Sequence, residues 1–145
     1  MHQTGVSLIL PGIMHLNAPM SPGEFLDRLT ILEIKLERIK DPGKVANVRR
    51  EHDLLRADWD ASPLSRVDVS ALVRDLKGVN EALWEIEDKI RVKEAQAAFD
   101  PEFIELARSV YHTNDRRAAI KRAINLALSS DLLEEKSYAA YRPAP

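Results

Sequence analysis

The strongest structural signal in this chain is the segment SPGEFLDRLTILEIKLERI, which spans residues 21–39. Ser21 suits a helix N-cap, a proline follows at the first helical position, and Glu24 completes a capping box. Apolar residues then recur at alternating spacings of four and three, which predicts one continuous buried stripe. Ile31 and Ile34 fall on roughly the opposite side, so we expect this helix at the centre of a bundle or in an oligomer interface.

Three more long helices are predicted after the first one. The second begins at Asp41-Pro42 and ends near Trp59, and the third runs over residues 65–98. The fourth runs over residues 100–128, and a short last helix is expected to end at Tyr138. Gly78 lies inside the third helix, where it predicts a close contact with another helix. Because the turns are short, the predicted fold is all-α, with antiparallel hairpins in a four-helix-type bundle.

The 145 residues are expected to form one domain with two irregular ends. Residues 1–20 are interpreted as a flexible or extended arm, because Pro11 and Gly12 interrupt their apolar run. That run is too short to span a bilayer, and it lacks the positive flank of a signal peptide. Residues 21–140 form the predicted helical domain, and residues 141–145 are expected to be frayed.

Composition removes several classes of function. The 21 basic and 23 acidic residues give a net charge of −2, whereas nucleic-acid binders usually show a basic excess. The chain has no cysteine, which excludes disulfides, thiolate catalysis and cysteine-based zinc sites and fits a cytoplasmic location. No two histidines share a helical spacing, so no metal or other cofactor is expected. Carboxylate-only magnesium binding at Glu85, Glu87 and Asp88 stays an open alternative.

Several polar residues lie close to the predicted core. Arg117 is at the centre of the apolar stripe of the fourth helix, with Asn114 and Lys121 on the same side. A buried guanidinium requires a carboxylate or an anionic ligand. The third helix carries candidates on a strip beside its heptad seam: Asn80, Trp84, Glu87, Asp88 and Arg91. We predict that Glu87 or Asp88 contacts Arg117, either as an internal salt-bridge network or as a pocket for phosphate or carboxylate. His52, also mid-stripe, is interpreted as a hydrogen-bonded core residue.

Three blocks of sequence, residues 21–35, 83–91 and 113–125, resemble a family of short bacterial proteins known only as a domain of unknown function. The resemblance covers about residues 20–140. Two of its elements, Trp-x-x-Glu-Asp-x-x-Arg and Asn-x-x-Arg-x-x-x-Lys, are also similar to a second uncharacterised helical family associated with surface-polysaccharide gene clusters. The resemblance implies that the motif includes Lys35, Trp84, Glu87, Asp88, Arg91, Asn114, Arg117 and Lys121. It implies no activity.

Two classes of function remain open on the sequence. The first is a non-catalytic or accessory helical protein, homo-oligomeric, with a polar pocket between the third and fourth helices that takes a small anionic ligand. The second is an enzyme acting on a small phosphorylated or carboxylated metabolite, linked to surface-polysaccharide metabolism. It would be similar to MazG-type pyrophosphohydrolases, through Glu85-x-x-Asp88, or to helical chorismate mutases. An open cleft beside Arg117 that holds a sulfate or phosphate would favour the enzyme, and a closed ion-pair network would favour a structural role.

Overall fold

A computed structural model describes residues 14–141, and this part of the chain contains helices and no β-strand. The prediction of an all-α fold is confirmed. Most of the predicted N-terminal arm and residues 142–145 lie outside the described residues, and residues 14–20 are exposed and non-helical. The helices are α1 (Pro22–Arg38), α2 (Pro42–Ala61), a 3₁₀ turn (Pro63–Arg66), α3 (Ser70–Ala95) and α4 (Pro101–Ala127).

Three of the helices begin as the sequence predicts. Ser21, Asp41 and Asp100 each place a side-chain oxygen 2.9–3.2 Å from a backbone N–H of the first turn, and proline follows each of them. These caps satisfy amide groups that the helix itself leaves without a partner. The local signal therefore sets the start of α1, α2 and α4.

α1 is the central helix of the bundle, because it packs against α2, α3 and α4. Its Leu26, Leu29 and Leu32 are buried, and Ile34 on the other side is only 1% exposed. The chain's own helices therefore cover Ile34 and half-bury Ile31. The two-sided apolar pattern is explained by a central position, and it does not require a second subunit.

α2 is the peripheral helix, and it packs against α1 and the 3₁₀ turn. Every residue of α2 stays at least partly exposed. His52 is half-buried and lies 3.1 Å from Asp53 Oδ1, so it is less enclosed than the predicted core histidine. Within residues 14–141, no helix has the length and apolar character that crossing a membrane requires.

The ends of α3 and α4 differ from the prediction. α3 begins at Ser70, five residues later than expected, because Pro63 starts a 3₁₀ turn instead. Both helices end in a Schellman motif, with Ala97 and Ser129 at a φ of 51°. The contact predicted for Gly78 is absent, since a Cβ built there would meet nothing within 4 Å.

The predicted last helix does not form. Residues 131–141 have no regular secondary structure, and every one of them is exposed. A helix of eight residues is marginal on its own, because few hydrogen bonds offset the loss of conformational entropy. This stretch, called the C-terminal segment below, instead makes side-chain contacts with α4.

Candidate functional site

Arg117 of α4 forms a bidentate ion pair with Asp27 of α1. Its Nε donates to Asp27 Oδ1 at 2.9 Å, and its Nη2 donates to Asp27 Oδ2. The Asp27 side chain is 2% exposed and that of Arg117 is 28% exposed. The hydrogen bond to Asp27 raises the pKa of Arg117 above its ordinary value. A buried guanidinium with a carboxylate partner was expected, but the partner belongs to a different helix.

The predicted contact between Arg117 and Glu87 or Asp88 is therefore wrong. Glu87 is exposed and pairs with Arg91, four residues along the same helix, at 3.5 Å. Asp88 is also exposed. The prediction considered only the hairpin of α3 and α4, whereas the central α1 supplies the acid.

Asn80 of α3 joins the same group of side chains. Its Nδ2 donates to Asp27 Oδ1 at 2.9 Å and to Thr30 Oγ1 at 3.1 Å. Thr30 in turn donates to the Asp27 carbonyl at 2.8 Å. These four residues, called the Asp27 cluster below, tie α1, α3 and α4 together. Within residues 14–141, every buried side-chain nitrogen and oxygen has a hydrogen-bond partner.

Lys121 lies one turn after Arg117 and is only 7% exposed. Its Nζ contacts Glu24 Oε2 at 2.5 Å and Glu134 Oε2 at 2.9 Å. Burial lowers the pKa of Lys121, but the hydrogen bonds to these two acids outweigh burial, and its pKa is raised. The Glu24 side chain is thus bound to α4, so the predicted capping box forms only through Ser21.

Glu134 is the contribution of the C-terminal segment to this site. Its carboxylate lies between two ammonium groups, with Lys136 Nζ 2.8 Å from Oε1 and Lys121 Nζ on the other oxygen. Hydrogen bonds from Lys136 and then Lys121 lower the pKa of Glu134 to about 2. The segment is also attached by Glu135 to Arg122 at 3.1 Å.

Gly23 allows the N-terminus of α1 to approach α4 closely. Its N–H donates to Asn125 Oδ1 at 2.7 Å. A Cβ at this position would lie 2.4 Å from the Lys121 carbonyl oxygen, a distance that backbone atoms cannot accommodate. The glycine therefore holds Glu24, the next residue, within reach of the Lys121 side chain.

A cavity of about 530 Å³ lies between α4 and the C-terminal segment, and it is called the α4 cavity below. Its lining combines three basic side chains with three tyrosines. The lining residues are Val110, Tyr111, Asn114, Asp115, Arg117, Ala118, Lys121, Lys136, Tyr138, Ala139 and Tyr141. Tyr141 donates to Asp115 Oδ2 at 2.5 Å, and its ring packs 5.0 Å from that of Tyr111.

Three of the predicted site residues line this cavity: Asn114, Arg117 and Lys121. Asn80 lies behind them in the Asp27 cluster. The remaining predicted residues, Lys35, Trp84, Glu87, Asp88 and Arg91, do not line it. This cavity therefore lies beside α4 and the C-terminal segment, and not at the expected position between α3 and α4. The ligand-binding role of these residues stays a prediction.

The sequence reasoning missed two groups of residues. Asp27 carried a usable signal, because it lies four residues before Ile31 and seven before Ile34, on the second apolar side of α1. Lys136, Tyr138 and Tyr141 carry no such signal, because the sequence around them predicts only a short helix and a frayed end.

The described acids do not form a carboxylate cluster. No three His, Asp or Glu side chains converge within residues 14–141 in a way that could hold a metal ion. Of the acids considered for magnesium, Glu85 is hydrogen-bonded to Arg38, which lowers the pKa of Glu85. Glu87 pairs with Arg91, as noted above.

Comparison with known proteins places the chain in a family without assigning an activity. No curated protein and no solved structure gives a significant match. The family described as "Family of unknown function (DUF6165)" matches residues 16–145, nearly the whole chain and all of the C-terminal segment. This match confirms the resemblance to a family of unknown function. The chain belongs to the DUF6165 family.

Proposed function

We propose that this protein is a non-catalytic, accessory helical-bundle protein that binds a small anionic ligand in the α4 cavity. The observation that carries the proposal is the cavity itself, where Arg117, Lys121 and Lys136 face the same space as three tyrosines. Its volume of about 530 Å³ lies within the range of small-molecule sites in proteins. Cationic groups supply specificity for an anion, and the apolar walls supply affinity.

Arg117 is prepared for such a ligand by its partner. Asp27 engages Nε and Nη2, and within the described chain Nη1 has no hydrogen-bond partner. Because the Asp27 cluster fixes the guanidinium, a ligand would lose little free energy in ordering this side chain. Arg117 can thus stabilise the fold through Nε and Nη2 and bind an anion through Nη1.

The acids of the site favour binding over catalysis. Asp27, Glu24 and Glu134 each serve as a counterion to a cation of the site. A general acid or base must be within hydrogen-bond reach of the substrate, and these carboxylates are already engaged. The enzyme hypothesis would have to rely on another lining residue, such as Asp115, which accepts a hydrogen bond from Tyr141.

Ligand-induced stabilisation tests the proposal. We would record thermal unfolding with phosphate, sugar phosphates, uronic acids and dicarboxylates at constant ionic strength. A ligand at 100 times its Kd adds about 2.7 kcal/mol, which raises Tm by roughly 5–11 °C in a chain of this size. Lys136→Met should lose this shift. Arg28→Met is the matched control, because Arg28 is an exposed basic residue that pairs with Glu51 and does not line the cavity.

Two outcomes would contradict the proposal. If no anion at millimolar concentration raises Tm, or if Arg28→Met and Lys136→Met reduce the shift equally, the α4 cavity is not an anion site. If a stabilising compound is also converted, as followed by NMR of the mixture, the enzyme hypothesis replaces the accessory one.

We also propose that the protein forms homo-oligomers through the turn between α3 and α4. Val92, Phe99 and Ile104 are 55–58% exposed at this end of the hairpin, and grouped exposed apolar side chains are typical of interaction sites. Light scattering provides the test. A monomer mass of 16.4 kDa at high protein concentration would contradict the proposal, whereas a dimer should dissociate in the Phe99→Ser, Ile104→Glu variant.

A further inference from the structure

The chain itself supplies a carboxylate to two of the lysines that line the α4 cavity; this carboxylate, from Glu134, lies beside the cavity and does not line it. Glu134 lies 2.9 Å from Lys121 Nζ and 2.8 Å from Lys136 Nζ, so each of its oxygens has an ammonium partner. Lys121 is 93% buried, counted from its 7% exposure, which makes this a formed site rather than a surface encounter. Both lysines line the cavity.

The acids around Lys121 differ in how firmly they are held. Glu24 belongs to α1, whose N-terminus is fixed on α4 by the bond between Gly23 and Asn125. Glu134 belongs to a segment with no regular secondary structure and no buried residue. The neighbouring attachment between Glu135 and Arg122 joins two exposed side chains, and such pairs contribute little stability. Glu134 is therefore the counterion of Lys121 that can leave.

We propose that Glu134 competes with the ligand's anionic group for Lys121, and that a carboxylate or phosphate on a ring-bearing compound displaces it. This inference rests on the proposed function, and it adds the binding position, the ligand chemistry and the competition with the chain's own carboxylate. The ring would lie among the three tyrosines that line the cavity, Tyr111, Tyr138 and Tyr141. Aromatic side chains contribute large apolar contact areas to such rings.

Competition from Glu134 should raise the apparent Kd of the ligand by an amount that can be calculated. The apparent Kd of a ligand equals its intrinsic Kd divided by the fraction of molecules in which the site is free. If Glu134 occupies the site about nine-tenths of the time, its removal should lower the apparent Kd about tenfold. Occupancy by Glu134 thus sets how much anion the protein needs before it responds.

The experiment compares Glu134→Gln with Glu135→Gln in the full chain. Both substitutions remove one negative charge from adjacent residues. Glu134 pairs with Lys121 and Lys136, which line the cavity, whereas Glu135 pairs with Arg122, which does not. Acetate, inorganic phosphate, benzoate and phenyl phosphate are titrated at constant ionic strength, and the Lys121 side-chain signals are followed by NMR. The four probes separate carboxylate from phosphate, and ring-bearing from ring-free anions.

We expect Glu134→Gln to bind at least one of the two anion types about tenfold more tightly than wild type, and Glu135→Gln to change the Kd less than twofold. Benzoate or phenyl phosphate should bind more tightly than its ring-free counterpart. If wild type binds the anions and Glu134→Gln binds them with the same Kd, the displacement by a ligand is refuted, while the proposed function stands. Equal tightening by both variants would reduce the effect to net charge and overturn it too. No binding of any probe to any of the three proteins would overturn the proposed function itself.

Discussion

Arg117→Ala is expected to lower the free energy of unfolding by about 3–5 kcal/mol, the range for breaking a buried ion pair and leaving one partner behind. The stranded partner would be Asp27, whose side chain is 2% exposed and cannot reach water. Asn80 would still donate to Asp27 Oδ1, but a neutral amide does not replace the guanidinium charge. For a chain of 145 residues the change corresponds to a fall in Tm of roughly 6–20 °C.

Arg122→Ala is the matched control for this measurement. Arg122 lies on the same helix, and its pair with Glu135 joins side chains that are 47% and 75% exposed. Removal of an exposed pair changes stability by about 0–1 kcal/mol. Urea and thermal unfolding followed by circular dichroism would compare the two variants with wild type. Equal stability of both variants would refute the conclusion that the Asp27 cluster holds the fold together.

The double variant Arg117→Met, Asp27→Asn separates the charge from the packing. It removes both members of the ion pair while it retains similar side-chain volumes. Replacement of a buried pair by neutral groups is often tolerated, so much of the stability lost in Arg117→Ala should return. A double variant as unstable as Arg117→Ala would show that the loss came from packing of the arginine stem rather than from the stranded charge.

Four further outcomes are expected. Gly78→Ala should stabilise the protein by about 0.5–1 kcal/mol, because a methyl group there meets nothing. Gly23→Ala should destabilise it by about 1–3 kcal/mol, since it clashes with backbone; urea unfolding checks both. Ala97→Gly should raise the free energy of unfolding by about 1 kcal/mol, because glycine adopts a φ of 51° without strain; thermal unfolding would show this. Finally, Glu134 has a pKa lowered from 4.5 to about 2, so its anchoring is complete above pH 4.5 and is lost as pH falls towards 2. NMR shifts of residues 131–141 would follow that release.

The sequence predicts most of the fold because the relevant signals are local. Ser21, Asp41 and Asp100 each precede a proline, and this arrangement fixes a helix start from within one turn. The central position of α1 could also be predicted from the sequence, since a helix that is apolar on two sides must be covered on two sides.

The partner of Arg117 could not be predicted in the same way. The sequence indicates that a buried guanidinium needs an acid, but it does not show which helix faces it. A short turn joins α3 to α4, and this closeness along the chain favours Glu87 and Asp88 as partners. The acid came from α1, which is distant in sequence and becomes a neighbour only when three helices pack around one core. Tertiary packing determines which residues form such pairs, and the local spacing of residues does not predict how the helices pack.

The C-terminal segment escaped prediction for a related reason. Its residues are compatible with a short helix, but a single helical turn or two gains little without tertiary contacts. The side chains of Glu134 and Tyr141 instead find partners on α4, and these contacts attach the segment to that helix. The walls of the α4 cavity thus depend on interactions that are absent from any helical pattern.

The two acids that flank the cationic site should affect anion binding in opposite directions. Asp27→Asn and Glu134→Gln each remove one negative charge near Arg117 and Lys121. If charge alone controlled affinity, both variants would bind phosphate more tightly. Asp27, however, fixes Arg117 in place, whereas Glu134 competes for Lys121. We therefore expect Asp27→Asn to weaken phosphate binding and Glu134→Gln to strengthen it, as measured by NMR titration of folded variants. A change of the same sign in both would show that the site responds only to net charge, and that the fixed and the displaceable counterions have no separate roles.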